Sequence, residues 1–62
     1  MYSKIKNILN GVNLLIVEDD ESLRESIKMS VENYVSEVYA CANAKEALEV
    51  FEANGVNLVL SD

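Results

Sequence analysis

The chain contains no histidine, no proline and no tryptophan, and it has one cysteine and two glycines among 62 residues. The absence of histidine excludes Ser-His-Asp catalysis, histidine general bases and Cys2His2 zinc fingers. The single cysteine, Cys41, excludes an intrachain disulfide. Because Cys41 lies in an apolar run, we expect it to be a small buried residue of a strand and not a reactive thiol.

Basic residues are also scarce, at five against eleven acidic ones, which gives a net charge of −6. This balance argues against direct nucleic-acid binding, which requires a basic surface. The apolar runs are too short for a membrane span, and the start of the chain lacks the long apolar stretch of a signal peptide. We therefore expect a cytoplasmic protein with no membrane partner.

The hydrophobic content is 50%, which favours a packed core over disorder. Residues 1–11 are more polar and are expected to form an N-terminal leader, with residues 12–62 as the one small domain that this length allows. Ile5, Ile8 and Leu9 leave two alternatives open for the leader, which are a short helix and a frayed segment. A domain of this size buries only about 60% of its unfolded surface and is marginally stable.

Three runs, at 12–17, 37–42 and 56–61, are predicted to be strands. The first is nearly continuously apolar and β-branched, as in a strand buried on both faces of a parallel sheet. The second is rich in strand formers, and the third repeats the character of the first. Between them, apolar residues recur every three or four positions, which indicates two helices with one apolar stripe each. The stripes consist of Leu23, Ile27, Val31 and Tyr34, and of Ala44, Ala47, Leu48 and Phe51. The alternation of strands and helices predicts an α/β fold with a parallel sheet and right-handed crossovers.

Several polar residues mark where the helices begin and end. Asp20 or Ser22 is suited to cap the first helix, and Asn43 with Glu46 three residues later resembles a capping box before the second. Gly55 stands where the cap at the end of the second helix is expected. Arg24, Lys28 and Glu32 fall on a different face from the first apolar stripe, and we interpret them as a solvated charged face.

A short internal echo links the first and third predicted strands. Residues 11–14 read Gly-Val-Asn-Leu, and so do residues 55–58. Four residues are weak evidence for duplication, but they indicate that both strands enter the sheet in the same way. Both strands would then deliver the acidic residues that follow them to the same edge of the sheet.

Those acidic residues are Glu18, Asp19 and Asp20 after the first strand and Asp62 after the third. Ligands of open parallel sheets bind outside the carboxyl ends of the strands. Neighbouring strands lie about 4.8 Å apart, so the carboxylates would crowd together, which is unfavourable unless a cation intervenes. Mg2+ suits the site, because it prefers one or two carboxylates, water and phosphate oxygens.

A simpler explanation exists for part of this cluster. Acids that precede a helix complement the positive end of its dipole, which accounts for Asp20 and Glu21. It accounts less well for Glu18 and Asp19, which extend the strand, and not at all for Asp62. We therefore expect Glu18, Asp19 and Asp62 to be the metal ligands.

The ordered motifs resemble the receiver domain of two-component response regulators. The residues that carry the resemblance are Leu14-Leu15-Ile16-Val17-Glu18-Asp19-Asp20, Leu23-Arg24, Ala44-Lys45-Glu46-Ala47-Leu48 and Leu58-Val59-Leu60-Ser61-Asp62. Asp62 follows Asp19 by 43 positions, which matches the family's separation between its acidic pair and its phosphoacceptor.

The resemblance implies a role for each acid. Asp62 resembles the aspartate that accepts a phosphoryl group from the phosphohistidine of a sensor histidine kinase, Asp19 the direct Mg2+ ligand, and Glu18 its partner that reaches the metal through water. It also implies a flavodoxin-like fold, here truncated to β1-α1-β2-α2-β3 with strand order 2-1-3. The function implied is phosphorelay signal transduction, not catalysis on a separate substrate.

The resemblance covers only the N-terminal half of a receiver domain. The later residues that contact the phosphoryl group in that family are not among the 62. The alternatives are therefore an inert or self-associating fragment and, less favoured, a metal-dependent phosphohydrolase or a nucleotide-binding module. Since the third strand is expected to be an exposed apolar edge, we predict that it pairs with a second copy across a two-fold axis.

Overall fold

A computed structural model describes residues 9–61 of the chain. It contains three strands and two helices in strict alternation: β1 Asn13–Val17, α1 Glu21–Val31, β2 Glu37–Cys41, α2 Ala44–Ala53 and β3 Leu58–Ser61. All strands are parallel, and the order in the sheet is β2-β1-β3. The α/β fold and the strand order expected from the sequence are confirmed.

The core is centred on β1 because this strand has a neighbour on each side and a helix on each face. Leu14, Leu15 and Ile16 expose 3%, 2% and 0% of their surfaces. Successive side chains of a strand point to opposite faces, so a strand buried on both faces must be apolar without interruption. The continuous apolar run of β1 therefore predicted its burial on both faces correctly.

The two helices cover different faces of the sheet. On the α2 face, Leu15, Cys41 and Ala47 form a buried cluster. The partly buried residues packed against this cluster are Val17, Tyr39, Val50 and Val56. On the α1 face, Leu23 and Ile27 lie beside Ile16. The expectation that Cys41 is a small buried residue is confirmed, since it exposes 5% of its surface.

Both helix starts are capped as the sequence predicts. The Asp20 carboxylate accepts a hydrogen bond of 2.8 Å from the backbone N–H of Leu23, and the Asn43 side chain accepts one of 2.9 Å from that of Glu46. The Glu46 carboxylate accepts from the backbone N–H of Ala42 at 3.1 Å, one residue before the cap. The box is therefore shifted by one residue from the usual form, in which the cap residue donates.

The helix ends differ from the sequence-based expectation. Helix α1 ends at Val31, and Tyr34 lies in the turn that follows it, so Tyr34 is not part of the helical stripe. Gly55 follows the α2 cap residue, Asn54, but Gly11 is the glycine with positive φ in residues 9–61, at 91°. Gly55 therefore does not provide the left-handed cap that glycine commonly supplies.

The two copies of the repeated Gly-Val-Asn-Leu sequence are hydrogen-bonded to each other, and we call these bonds of Asn13 and Asn57 the Asn13–Asn57 clasp. The Asn13 side chain donates to the carbonyl of Gly55 at 2.7 Å, and the Asn57 side chain donates to the carbonyl of Gly11 at 3.2 Å. The backbone N–H of Asn13 also donates to the Asn57 side chain at 2.8 Å. Both strands thus enter the sheet side by side, as the repeated residues indicated.

Candidate functional site

The strand register brings the carboxyl ends of the three strands to one edge of the sheet. Val17 is opposite Cys41 of β2 and opposite Ser61 of β3. Glu18 follows Val17 in the chain, so it leaves the sheet at its centre. Asp62, the predicted phosphoacceptor and metal ligand, follows Ser61 in the sequence and lies outside the described residues.

Glu18 is held by two hydrogen bonds, one through its backbone and one through its side chain. Its backbone N–H donates to the carbonyl of Cys41 at 2.9 Å, which extends the pairing of β1 with β2 by one residue. Its carboxylate accepts a hydrogen bond of 3.0 Å from the backbone N–H of Asp20. The side chain is half-buried, and its bond to the Asp20 backbone holds the loop between β1 and α1.

Asp19 and Asp20 differ in what their carboxylates do. Asp20 caps α1, which confirms its assignment to helix capping. Asp19 is exposed, and within residues 9–61 its carboxylate accepts no hydrogen bond. Within the described part of the chain, the Asp19 carboxylate is therefore available as a hard-oxygen ligand next to Glu18, at the edge where ligands of such sheets bind.

Arg24 is a member of this site that the sequence analysis missed. The sequence placed it on a solvated face of α1, but its guanidinium donates a hydrogen bond of 3.0 Å to the backbone carbonyl of Glu18, in a partly buried position. Since Arg24 lies one turn into α1, its side chain reaches back over the first turn to the end of β1. A long side chain one turn into the helix is the sequence signal that could have identified Arg24.

Cys41 ends β2 at the same edge, and its thiol is not activated. Burial raises the pKa of the Cys41 thiol above its ordinary value of 9.0. The negative charge of Glu46 raises this pKa further, and the positive charge of Arg24 acts in the opposite direction. A raised pKa keeps the thiol protonated near neutral pH, so Cys41 is a structural residue and a poor nucleophile.

The donor set of residues 9–61 does not by itself enclose a metal ion. No group of three or more acidic or cysteine side chains within this range is placed to hold one. Glu18 and Asp19 nevertheless fit Mg2+, which takes one or two carboxylates and keeps several waters. The third predicted ligand, Asp62, stays a prediction.

Comparison with protein-family models, with curated proteins and with solved structures gave no match to this chain. Neither α1 nor α2, the helices within residues 9–61, has the length and apolar character that crossing a membrane requires.

Proposed function

We propose that the chain forms the N-terminal half of a response-regulator receiver domain and takes part in phosphorelay signal transduction. In this role Asp62 accepts a phosphoryl group from the phosphohistidine of a sensor histidine kinase. Glu18, Asp19 and Asp62 hold the Mg2+ ion that the transfer requires. The protein acts in the cytoplasm and catalyses at most its own phosphorylation and dephosphorylation.

The observation that carries the proposal is the register of β1 and β3. Val17 and Ser61 are paired, and the residue after each of them in the chain is acidic, Glu18 in one case and Asp62 in the other. The Asn13–Asn57 clasp at the opposite end of the same two strands fixes this register. An acidic pair and a phosphoacceptor on adjacent strands are the arrangement that the resemblance requires.

The three acids after β1 differ in their hydrogen bonds, and this difference gives further support to the proposal. Asp20 is committed to the helix cap, which leaves Glu18 and Asp19 as the pair that the resemblance assigns to the metal. Mg2+ prefers one or two carboxylates, so the pair has the right number of ligands. When bound there, Mg2+ supplies positive charge that offsets the charge on the phosphoryl oxygens.

The chemistry that the protein residues contribute is nucleophilic attack by a carboxylate. An Asp62 oxygen attacks phosphorus as the bond from phosphorus to the donor nitrogen breaks, and the released nitrogen takes up a proton. An aspartyl phosphate is an established type of covalent intermediate. The Arg24 guanidinium has a positioning role, because it holds the Glu18 carbonyl and so orients the loop that carries the acidic pair.

An inert or self-associating fragment is the second candidate. The exposure of β3 favours it, because Leu58, Val59 and Leu60 each leave nearly half of their surfaces uncovered. A phosphohydrolase of another α/β family is less favoured. Such enzymes carry an Asp-x-Asp pattern after the first strand, where this chain reads Glu18-Asp19-Asp20.

Incubation with a small phosphoramidate donor and Mg2+, followed by intact mass measurement, tests the proposal. We expect one added phosphoryl group, lost on treatment with hydroxylamine and absent in Asp62→Asn. Metal-binding without an adduct identifies the inert fragment. Continuous phosphate release that survives Asp62→Asn identifies a hydrolase. Either of these two results rejects the receiver proposal for this chain.

A further inference from the structure

Two asparagine-glycine pairs lead into the paired strands β1 and β3. An asparagine precedes each copy of the repeated Gly-Val-Asn-Leu sequence, Asn10 in the first copy and Asn54 in the second. The other asparagines of residues 9–61 precede larger residues. Because glycine has no side chain to crowd its backbone nitrogen, this nitrogen can attack the side-chain amide of a preceding asparagine. Both pairs are therefore chemically reactive sequences unless the fold keeps the two groups apart.

The atoms of Asn54 are held by three hydrogen bonds at the end of α2. Its side chain donates to the carbonyl of Val50 at 3.0 Å in a partly buried position, and its backbone N–H donates to the same carbonyl at 3.0 Å. Its own carbonyl accepts from the backbone N–H of Val56 at 2.9 Å. A reaction of the Asn54 side chain with Gly55 would therefore have to break the cap of the helix.

Asn10 lacks these restraints, although the four residues that follow it are the same. It is exposed, and within residues 9–61 its atoms make no hydrogen bond. Asn10 and Gly11 are the central residues of a turn that is closed by a bond of 3.1 Å from the backbone N–H of Val12 to the carbonyl of Leu9. Gly11 has a positive φ of 91° and Asn10 does not, which identifies a type II turn. This turn lies outside the buried core, so Asn10 can rotate out of it towards the Gly11 nitrogen.

The two pairs differ in which of their residues is held. The Gly11 N–H donates to the Ser36 hydroxyl at 2.7 Å, whereas the Gly55 N–H donates to no acceptor within residues 9–61. The bond to Ser36 lies between exposed groups, and water can replace it at little cost. The bonds of Asn54 close the end of α2, and the one from its side chain is partly shielded from water. The restraint on the second pair is therefore the stronger one.

We propose that Asn10 and Gly11 form a modification site, at which Asn10 of the folded chain converts to isoaspartate and aspartate, whereas Asn54 stays intact. The Gly11 nitrogen gives up its proton to water and attacks Cγ of Asn10, and the new C–N bond closes a five-membered imide ring. The bond from Cγ to Nδ2 breaks, and the side-chain nitrogen takes up a proton and leaves as ammonia.

Water then opens the imide ring at one of its two carbonyl carbons. Addition of water at Cγ breaks the new bond and gives aspartate. Addition at the backbone carbonyl carbon of residue 10 breaks the original peptide bond and gives isoaspartate, in which the chain continues through the side chain. Both products carry a carboxylate where the amide was.

Isoaspartate at position 10 changes the chain where the Asn13–Asn57 clasp holds it. The product places an additional backbone carbon directly before Gly11. The Gly11 carbonyl accepts from the Asn57 side chain at 3.2 Å, and its N–H donates to Ser36, so displacement of Gly11 weakens both bonds. The new carboxylate also adds a negative charge to a chain that carries −6. The modification therefore loosens the entry of β1 into the sheet, and the proposal does not depend on phosphorylation of Asp62.

Timed incubation of the 62-residue chain at neutral pH, followed by peptide mass spectrometry, tests the site. Fragmentation that cleaves the Cα–Cβ bond distinguishes isoaspartate from aspartate. In the folded chain we expect Asn10 to convert at least about tenfold faster than Asn54, because ring closure at Asn54 must break more hydrogen bonds. In denaturant the two should convert at similar rates, since only the shared local sequence then acts. Equal rates in the folded chain, faster conversion of Asn54, or no conversion of Asn10 overturns the proposal.

Ser36→Ala tests the part that the hydroxyl plays. It should raise the rate at Asn10 several-fold, up to about tenfold, because the Gly11 N–H loses its partner. The rate at Asn54 should not change, whereas a general loosening of the fold would raise both rates. Ser30→Ala is the matched control, since the Ser30 hydroxyl donates to the carbonyl of Ser26 within α1, and it should change neither rate. A rise at both positions in Ser36→Ala, or none at Asn10, contradicts the proposal.

Asn10→Gln separates the effect of the modification from that of incubation. Glutamine keeps the amide but would have to close a larger ring, so position 10 should stay unmodified. After incubation, the natural chain should unfold at a lower denaturant concentration than before, whereas Asn10→Gln should keep its midpoint. Equal shifts in both chains would contradict the loosening of the clasp by isoaspartate.

Discussion

Asn13 and Asn57 occupy equivalent places at the starts of β1 and β3, and each binds the chain segment that leads into the other strand. The Asn13 side chain donates to the carbonyl of Gly55, two residues before Asn57. The Asn57 side chain donates to the carbonyl of Gly11, two residues before Asn13. This reciprocity explains why the same four residues occur twice, and it fixes the register on which the candidate site depends.

Replacement of either asparagine should destabilise the fold. We expect Asn13→Ala and Asn57→Ala each to lower the free energy of unfolding by about 0.5–1.5 kcal/mol, since each loses at least one hydrogen bond between exposed groups. Asn57→Ala should cost more than Asn13→Ala, because it also removes the bond that the Asn57 side chain accepts from the Asn13 backbone N–H, which Asn13→Ala leaves in place. Chemical denaturation measures both variants. The control is Asn33→Ala, which changes an exposed residue in a turn. An equal loss of unfolding free energy in this control and in the clasp variants would contradict the account.

The repeated Gly-Val-Asn-Leu sequence shows how much of the pairing between β1 and β3 could be predicted from the sequence. The repeated residues indicated that β1 and β3 enter the sheet together, and the structure confirms it. The side-chain bonds could not be predicted, because they depend on the register that brings Asn13 and Asn57 together across 44 positions. Gly55 stands next to the end of α2 as expected, directly after the cap residue Asn54, but its φ is not positive. Its carbonyl is used by Asn13, a contact that local pattern does not reveal.

Asp20 and Asp19 should respond differently to substitution. Asp20→Asn keeps a good capping residue, so stability should change little, whereas Asp20→Ala should cost about 1 kcal/mol. Asp19→Asn should weaken Mg2+ binding at least about tenfold, because it removes the charge of the proposed direct ligand. Asp20→Asn should weaken it much less. Amide chemical shifts during a Mg2+ titration measure both affinities, and equal losses would contradict the assignment of Asp20 to the cap.

Arg24 should contribute to stability through its bond to Glu18. Arg24→Gln should lower the free energy of unfolding by about 1–2 kcal/mol, since a hydrogen bond from a charged donor is lost in a partly buried place. Lys45→Gln, an exposed change of the same charge, is the control and should stay within about 0.5 kcal/mol. Thermal denaturation of both variants checks this, and equal shifts would mean that the bond to the Glu18 carbonyl contributes nothing.

The contact between Arg24 and Glu18 could not be predicted from helical periodicity, for a physical reason. Helical periodicity assigns a residue to a face at its own Cα, and that face of α1 is indeed charged. A long side chain near the start of a helix lies over the preceding turn, however, and so reaches the end of β1. The extent of α1 was overestimated in a related way, because Tyr34 continues the apolar spacing although the helix has already ended at Val31.

The Cys41 thiol gives the fold a dependence on alkaline pH. Because its pKa is raised in the folded chain, the unfolded chain loses this proton at lower pH. The contribution to stability is complete below the pKa of the unfolded thiol and is lost as the pH rises through the pKa of the folded one. The free energy of unfolding should therefore fall as the pH rises through and above 9.0, the ordinary pKa of the thiol.

Cys41→Ala isolates this effect from the titration of tyrosine and lysine. The difference in unfolding free energy between the natural chain and Cys41→Ala should shrink across the same pH interval. Reaction of the thiol with iodoacetamide should also be slow at pH 8 in the folded chain and rapid in denaturant. A pH-independent difference together with rapid alkylation of the folded chain would contradict the burial of Cys41.

The site of phosphorylation is the most direct test of the proposed function. After incubation with a phosphoramidate donor and Mg2+, borohydride reduction converts an aspartyl phosphate to homoserine, which peptide mass spectrometry locates. We predict homoserine at position 62 and none at Asp19 or Asp20. We also predict that the conversion is lost when Mg2+ is chelated or when Asp19 is changed to Asn. Conversion at Asp19, or no conversion at any aspartate while Mg2+ is bound, would contradict the account.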